Sequence, residues 1–293
     1  MSPTATPPEP EAAPADGDGA GLPAVHAGGC VVPVMDMSAP EQPALPGSES
    51  AGTLLGGRVA YRQMLRGHRS GLEPVLLAAL VPARPGQRVL EGGTGAGAGL
   101  LCLAARVASL TGCGVELDPA LAALARRNLD ANGAAGISVL AADLAGADVL
   151  PGAAFHHAFA NPPWHRGTAS PDGGRDLARR AAPGLLAVWV AALCRRVRPG
   201  GSVTLALPAA ALAEAAALLR GCGCGGVSVL PLWPRQGVAA RLVLVQGVLG
   251  SRSGSVVHPG LVLHEADGGF TPGADAVLRD GAALRIGAGA APP

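Results

Sequence analysis

The sequence contains no lysine, no CxxC pair and no long uncharged apolar run. Without about 18 or more consecutive apolar residues no transmembrane helix is expected, and the amino terminus lacks the basic segment and apolar stretch of a secretory signal. Six cysteines stand at positions 30, 102, 113, 194, 222 and 224, and their spacing suits neither a disulfide framework nor a zinc site. We therefore expect a soluble, cytoplasmic protein without a metal site.

The chain also has almost no excess of positive or negative charge. The 293 residues carry a formal net charge of +1, and every basic side chain other than histidine is arginine. This balance gives no global field able to collect a polyanion, although arginines cluster locally at Arg58, Arg62, Arg66 and Arg69. Charge therefore permits a nucleic-acid partner without requiring one.

Three regions follow one another along the chain. Residues 1–50 are rich in Pro, Ala and Gly without periodic apolar positions, which predicts a disordered tail. From 51 to 250, strand and helix patterns alternate, which predicts an α/β domain built on a mostly parallel sheet. Strands near 227–232 and 241–248 have no helix between them, so we expect an antiparallel hairpin to end the sheet. Residues 251–293 are expected to form an extension partly packed on the domain.

Turn and capping residues set the expected boundaries inside that domain. Asp118 suits a helix N-cap, Pro119 the first helical position and Gly133 the stop. The pattern predicts helices over 73–80, 100–110, 119–132, 185–197 and 209–219, and strands over 88–90, 114–117, 137–142, 158–160 and 202–207.

A glycine-rich turn, Glu91-Gly92-Gly93-Thr94-Gly95-Ala96-Gly97, falls between the first predicted strand of this series and a helix. Such a turn lets a ligand approach the backbone closely, but in a chain with 44 glycines it could be purely structural, and it also fits a nicotinamide fingerprint. Glu116 ends the next strand, 21 positions after Gly95, where a carboxylate can bind both ribose hydroxyls. Asp143 ends the third strand and could accept from an adenine amino group, or could simply cap the following loop.

The segment Asn161-Pro162-Pro163-Trp164 directly follows the fourth strand of the series. Two prolines fix φ and stop the strand, so the last groups are held rigidly. The Asn161 side-chain oxygen and the Pro162 carbonyl can then accept the two hydrogens of a planar amino group, which frees the nitrogen lone pair. Trp164 would stack on a flipped base, or would anchor the loop to the core. The four residues predict a catalytic loop for methylation of an NH2 group.

This loop and the glycine turn together resemble the class I N6-adenine and N5-glutamine methyltransferases, which share an (Asn/Asp)-Pro-Pro-aromatic motif. The stretches LLGGR at 54–58, RSGLEPVLL at 69–77 and NPPWHRGTASPD at 161–172 resemble the bacterial tRNA(Val) adenine N6-methyltransferase family more closely, over about residues 53–285. The resemblance implies a Rossmann-like, seven-stranded, mostly parallel sheet, S-adenosylmethionine as cofactor, and transfer to N6 of an adenine next to the anticodon in tRNA(Val).

The resemblance also implies roles for individual residues. Glu91, Gly93, Gly95 and Gly97 would surround the methionine portion of the cofactor, and Thr94 would also belong to the cofactor-binding set. Glu116 would bind the ribose and Asp143 the adenine, while Asn161 would face both cofactor and acceptor. Pro162, Pro163 and Trp164 would complete the catalytic set.

Two departures and three alternatives accompany this interpretation. Trp164 stands where Tyr or Phe is common, and Gly92 stands where an apolar residue is usual, with a mild loss of packing. The alternatives are N5-methylation of a glutamine in a translation factor, a catalytically inert cofactor-binding module, and a nicotinamide-dependent enzyme.

Residues 167–182, with three arginines, could form a lid over RNA phosphates or a solvated helix. Trp189 and Trp233 lie on apolar stretches and are expected in the core.

Overall fold

The computed structural model describes Met1 and residues 49–65, 71–146, 150, 154–163 and 184–286. Nearly all of the predicted tail, Trp164 and the predicted lid at 167–182 lie outside the described residues. Within the described part, no helix is long and apolar enough to cross a membrane.

The described strands are β1 (Glu49–Leu54), β2 (Val59–Met64), β3 (Arg88–Gly92), β4 (Thr111–Glu116), β5 (Ile137–Ala141), β6 (Phe155–Ala160), β7 (Val197–Pro208), β8 (Cys224–Trp233), β9 (Leu242–Leu249), β10 (Val256–Val257) and β11 (Leu261–Val262). The helices are α1 (Glu73–Leu80), α2 (Ala98–Arg106), α3 (Pro119–Ala131), α4 (Leu185–Arg196), α5 (Leu212–Gly221) and α6 (Pro272–Leu278), with two short 3-10 turns at Leu55–Gly57 and Ala209–Ala211.

The main sheet has the strand order β10-β8-β9-β7-β6-β3-β4-β5, and β11 also pairs with β8. The pairs from β5 across to β7 are parallel, whereas β9 runs antiparallel to both β7 and β8. Seven strands, β3 to β9, form the expected sheet with its antiparallel carboxy-terminal hairpin, so the predicted fold class is confirmed. The two-residue strands β10 and β11 extend it at one edge, and β1 and β2 form a separate antiparallel hairpin.

Two apolar layers cover the sheet. One contains α1, α2, α3 and α6, and the other contains α4 and α5. The central parallel strands are buried on both faces, so successive residues of β3 and β6 are buried without the alternation of a strand that has one solvent-facing side. Helix α1 is apolar nearly all round, and its residues from Val75 to Leu80 are all buried.

Local signals placed several boundaries well. The Asp118 side chain accepts hydrogen bonds from the amides of Ala120 and Leu121, Pro119 opens α3, and Gly133 follows its end with φ of 66°. Helix α2 differs from the prediction because it begins at Ala98 and ends at Arg106, four residues before Leu110. The hairpin of β1 and β2 is the main element that the sequence pattern did not indicate.

Candidate active site

The candidate site lies at the carboxyl ends of the parallel strands, where the strand order reverses between β3 and β6. Strand pairing aligns Gly92, the last residue of β3, with Ala160, the last residue of β6. The glycine turn therefore leaves the sheet beside Asn161. In open α/β sheets a crevice at this position is the usual ligand site.

Three glycines of the turn have positive φ, at 65° for Gly93, 55° for Gly95 and 90° for Gly97. The amides of Gly93 and Thr94 both donate to the carbonyl of Val115, at 2.8 and 3.1 Å. A Cβ built on Gly95 would have no heavy atom within 4 Å, so the backbone there faces open space. A ligand can thus reach the turn closely at Gly95, as a cradle requires.

The Glu116 carboxylate borders the turn at the end of β4. One oxygen accepts from the amide of Gly95 at 2.8 Å, and the other accepts from the amide of Asp118 at 3.0 Å. Each carboxylate oxygen has further lone pairs, and the side chain is half-buried rather than sealed. Its placement suits the binding of a diol beside the glycine turn.

Glu91 is directed inward. Its side chain is buried, and one carboxylate oxygen accepts from the Thr94 hydroxyl at 2.5 Å and from the amide of Leu100 at 3.2 Å. Burial raises the pKa of Glu91 from 4.5 to about 8, an effect that these two hydrogen bonds only partly oppose and that the nearby Glu116 reinforces. Glu91 and Thr94 therefore tie the turn to the first residues of α2.

Asp143 lies just after β5 at the same edge of the sheet, and its side chain is exposed. One of its carboxylate oxygens accepts from the amide of Ala145 at 2.9 Å, which is the loop-capping contact anticipated as an alternative. The neighbouring Leu144 is buried, and a Cβ on Gly92 would lie 2.6 Å from its Cδ2. The Leu144 side chain thus occupies the space where a side chain at position 92 would lie.

Asn161 follows β6 without a gap, Pro162 is buried, and Asn161 and Pro163 are partly exposed. Trp164 lies outside the described residues, so its stacking role stays a prediction. The structure thus brings the glycine turn, Glu116, Asp143 and the start of the catalytic loop to one edge of the sheet, while the individual roles stay predictions.

Two residues at this edge were missed. Trp189 of α4, expected in the core, is half-buried, and a Cβ on Gly93 would lie 2.6 Å from its ring carbon Cη2. Asn128 of α3 is only 1 % exposed and donates to the carbonyl of Ala96 in the turn at 2.8 Å. The pattern did contain a signal for it, because Ala122, Ala125 and Asn128 recur every three residues on the inner face of α3.

Other features lie away from this edge. A groove of about 560 Å³ is lined by residues at the amino ends of β4 and β5, among them Thr111 and Ile137, and by none of the predicted site residues. In the part of the chain that the structure describes, no cluster of three or more His, Cys, Asp or Glu side chains could hold a metal ion.

Comparison with known proteins identifies relatives of this chain. The tRNA1(Val) (adenine(37)-N6)-methyltransferase of Shewanella amazonensis is 28% identical over 215 residues, which cover 71% of this chain and 89% of that protein. The crystal structure of a protein from Agrobacterium tumefaciens, described as a predicted O-methyltransferase, is 29% identical, covers 72% of this chain and 98% of that one, and superposes with a TM-score of 0.61. A Haemonchus contortus phosphoethanolamine N-methyltransferase with bound S-adenosyl-L-methionine matches more remotely, at 13% identity over 60% of this chain and 51% of that one, with a TM-score of 0.46. No family model matches the chain.

The Shewanella and Agrobacterium relatives confirm the predicted resemblance, the class I methyltransferase fold and S-adenosylmethionine as the cofactor. The residues at the site fit this group, since the open backbone at Gly95 admits a ligand and the Glu116 carboxylate stands beside it. The alternative of a nicotinamide-dependent enzyme is set aside.

Proposed function

We propose that this protein, which is an S-adenosylmethionine-dependent methyltransferase, transfers the methyl group to N6 of an adenine in tRNA. The observation that carries the proposal is the pairing of Gly92 with Ala160, which sets Asn161 directly beside the start of the glycine turn at 91–97, the proposed cofactor turn. An acceptor held by Asn161 would therefore lie next to the cofactor. The curated Shewanella relative, named for adenine 37 of tRNA1(Val), supports this acceptor and suggests the position next to the anticodon.

The chain's own contribution is to hold the acceptor. S-adenosylmethionine supplies, when bound, a methyl group on a positively charged sulfonium, so no strong base is needed to start the reaction. Asn161 would accept one amino hydrogen at its side-chain oxygen, and Pro162 would accept the other at its carbonyl oxygen. The two prolines restrict the backbone, and the burial of Pro162 fixes the loop against the domain. As the new C–N bond forms, the bond between the methyl carbon and the sulfonium sulfur would break to leave a neutral thioether, and one amino proton would pass to solvent.

An amino acceptor fits these residues better than a hydroxyl. A hydroxyl carries one hydrogen and would use only one of the two acceptors offered by Asn161 and Pro162, whereas an NH2 group uses both. The name of the Agrobacterium relative therefore does not alter the proposal. The amide of a glutamine also presents two hydrogens and is the competing acceptor.

The direct test is a labelling assay with radiolabelled S-adenosylmethionine and tRNA prepared without modifications. We expect label in the RNA, and nuclease digestion should release it as N6-methyladenosine. A tRNA in which the adenine next to the anticodon is replaced by guanine should accept no label. A translation factor carrying an accessible glutamine is the parallel substrate.

The Asn161→Ala variant is the matched control for the role of the loop. We expect its turnover to fall at least about a hundredfold while its dissociation constant for S-adenosylmethionine changes less than about threefold, because Asn161 acts on the acceptor in the transition state.

In the labelling assay, label in the translation factor instead of tRNA would establish the glutamine alternative. No label in either substrate, with cofactor binding intact, would favour the inert module and refute the proposal.

A further inference from the structure

The strongest unexplained feature near the site is the buried amide of Asn128. Its side-chain oxygen accepts from the amide of Arg62 at 3.0 Å, and its NH2 group donates to the carbonyl of Arg62 and to the carbonyl of Ala96, both at 2.8 Å. Both donor hydrogens are thereby used. One side chain on α3 thus connects the backbone of β2 to the backbone of the cofactor turn.

A neighbouring asparagine makes the same kind of contact with β2 but none with the turn. Asn132, which directly follows the last residue of α3, accepts from the amide of Ala60 at 3.0 Å and donates to the carbonyl of Ala60 and to the carbonyl of Asn128, both at 2.7 Å. The two asparagines together pair with β2 as a strand would, which holds the β1–β2 hairpin along α3. Only Asn128 also reaches the cofactor turn.

The bond to Ala96 completes a set of restraints on the turn. The adjacent Gly95 amide is held by Glu116, and the Gly97 amide donates to the carbonyl of Thr94 at 2.9 Å. Because Gly95 and Gly97 lack a Cβ, the backbone on both sides of Ala96 has several conformations available, and a bond at Ala96 helps to select the one with positive φ at both glycines. A preformed turn spares the cofactor the cost of ordering it.

We infer that Asn128 is a positioning residue for S-adenosylmethionine binding, which fixes the cofactor turn against the amino-terminal hairpin. The inference concerns the cofactor alone and is independent of which acceptor the enzyme methylates. A merely structural asparagine would stabilise the fold without any particular effect on cofactor affinity, and this difference makes the inference testable.

The test compares Asn128→Ala with Asn132→Ala in the full chain. Both variants lose their contacts with β2, but only the first loses the bond to Ala96. We expect both to unfold at lower temperature, while the dissociation constant for S-adenosylmethionine, measured by titration calorimetry well below either melting temperature, rises about tenfold or more for Asn128→Ala and less than threefold for Asn132→Ala. Equal losses of affinity in the two variants would overturn the inference.

A second measurement needs no variant, in case Asn128→Ala does not fold. Amide hydrogen exchange of the wild-type protein is followed with and without S-adenosylmethionine. The amide of Arg62 donates to Asn128 and the amide of Ala60 donates to Asn132, so the first is coupled to the turn and the second is the internal control. We expect the cofactor to slow exchange at Arg62 several-fold more than at Ala60. The same slowing at both residues, or at neither, would contradict the positioning role.

Discussion

Replacing Glu91 by glutamine should change how the stability of the protein depends on pH. Glu91 is buried, and burial raises its pKa from 4.5 to about 8 in the folded state. Between these two values the folded chain keeps a proton on Glu91 that the unfolded chain has lost, so this group's contribution to stability is full below pH 4.5 and is lost as pH rises towards 8. Glutamine keeps an oxygen for Thr94 and Leu100 but does not titrate.

The size of the effect follows from the shift. At 1.36 kcal/mol per pKa unit, the two titration curves give a loss on the order of 3 to 4 kcal/mol in the free energy of unfolding between pH 5 and pH 8. The wild-type protein should lose this amount relative to Glu91→Gln, whatever the other groups contribute, because those groups are common to both proteins. The variant should therefore gain relative to the wild type at each step towards higher pH.

Urea denaturation at pH 5, 6, 7 and 8 measures the difference directly. Free energies of unfolding for the two proteins are extrapolated to water at each pH. An equal dependence of these free energies on urea concentration shows that the two proteins expose the same surface area on unfolding. A difference that stays constant from pH 5 to pH 8 would show that Glu91 ionises normally in the folded protein. The inward placement of its carboxylate would then be wrong.

Two further predictions concern stability. Gly93→Ala should lower the free energy of unfolding by at least about 1 kcal/mol, because φ is 65° and the added Cβ would lie 2.6 Å from Trp189. The double variant with Trp189→Leu should recover part of this loss, as measured by thermal unfolding. No recovery would mean that the contact with Trp189 is not the cause. Burial, with the charges of His156 and Arg198, lowers the pKa of His157 from 6.5 to about 4, so the unfolded chain binds more protons below pH 6.5. In the Glu91→Gln protein, stability should therefore fall by about 2 kcal/mol from pH 7 to pH 5, and a flat profile in urea denaturation over this range would contradict it.

The position of the candidate site could be predicted from the sequence, and the glycine turn shows why. The turn follows a strand and precedes a helix, so its place at the carboxyl edge of the sheet follows from the topology of α/β domains. Glu116, Asp143 and Asn161 each come at or just after the end of a parallel strand, and such ends share one edge. Three of the four predicted catalytic residues lie there in the structure, and the fourth, Trp164, is not described.

The direction of each side chain could not be obtained in this way. Glu91 and Glu116 both lie near the carboxyl ends of strands in the same sheet, yet one carboxylate is buried against Thr94 and α2 while the other borders the turn at Gly95. A position at the end of a strand does not by itself distinguish these two directions. The sequence left two roles open for Asp143, and its capping contact with Ala145 was identified only in the structure.

By itself the sequence determined the alternation of strands and helices, the caps of α3, the glycine turn and the proline-stiffened loop, because each depends on residues within a few positions of one another. Only the tertiary structure decided the β1–β2 hairpin, the approach of Trp189 to Gly93 and the connection through Asn128. The bonds of Asn128 join residues 32 and 66 positions away, and no local pattern specifies partners at such separations. The glycine turn is encoded locally, but the bond that Asn128 makes to it comes from a distant part of the chain.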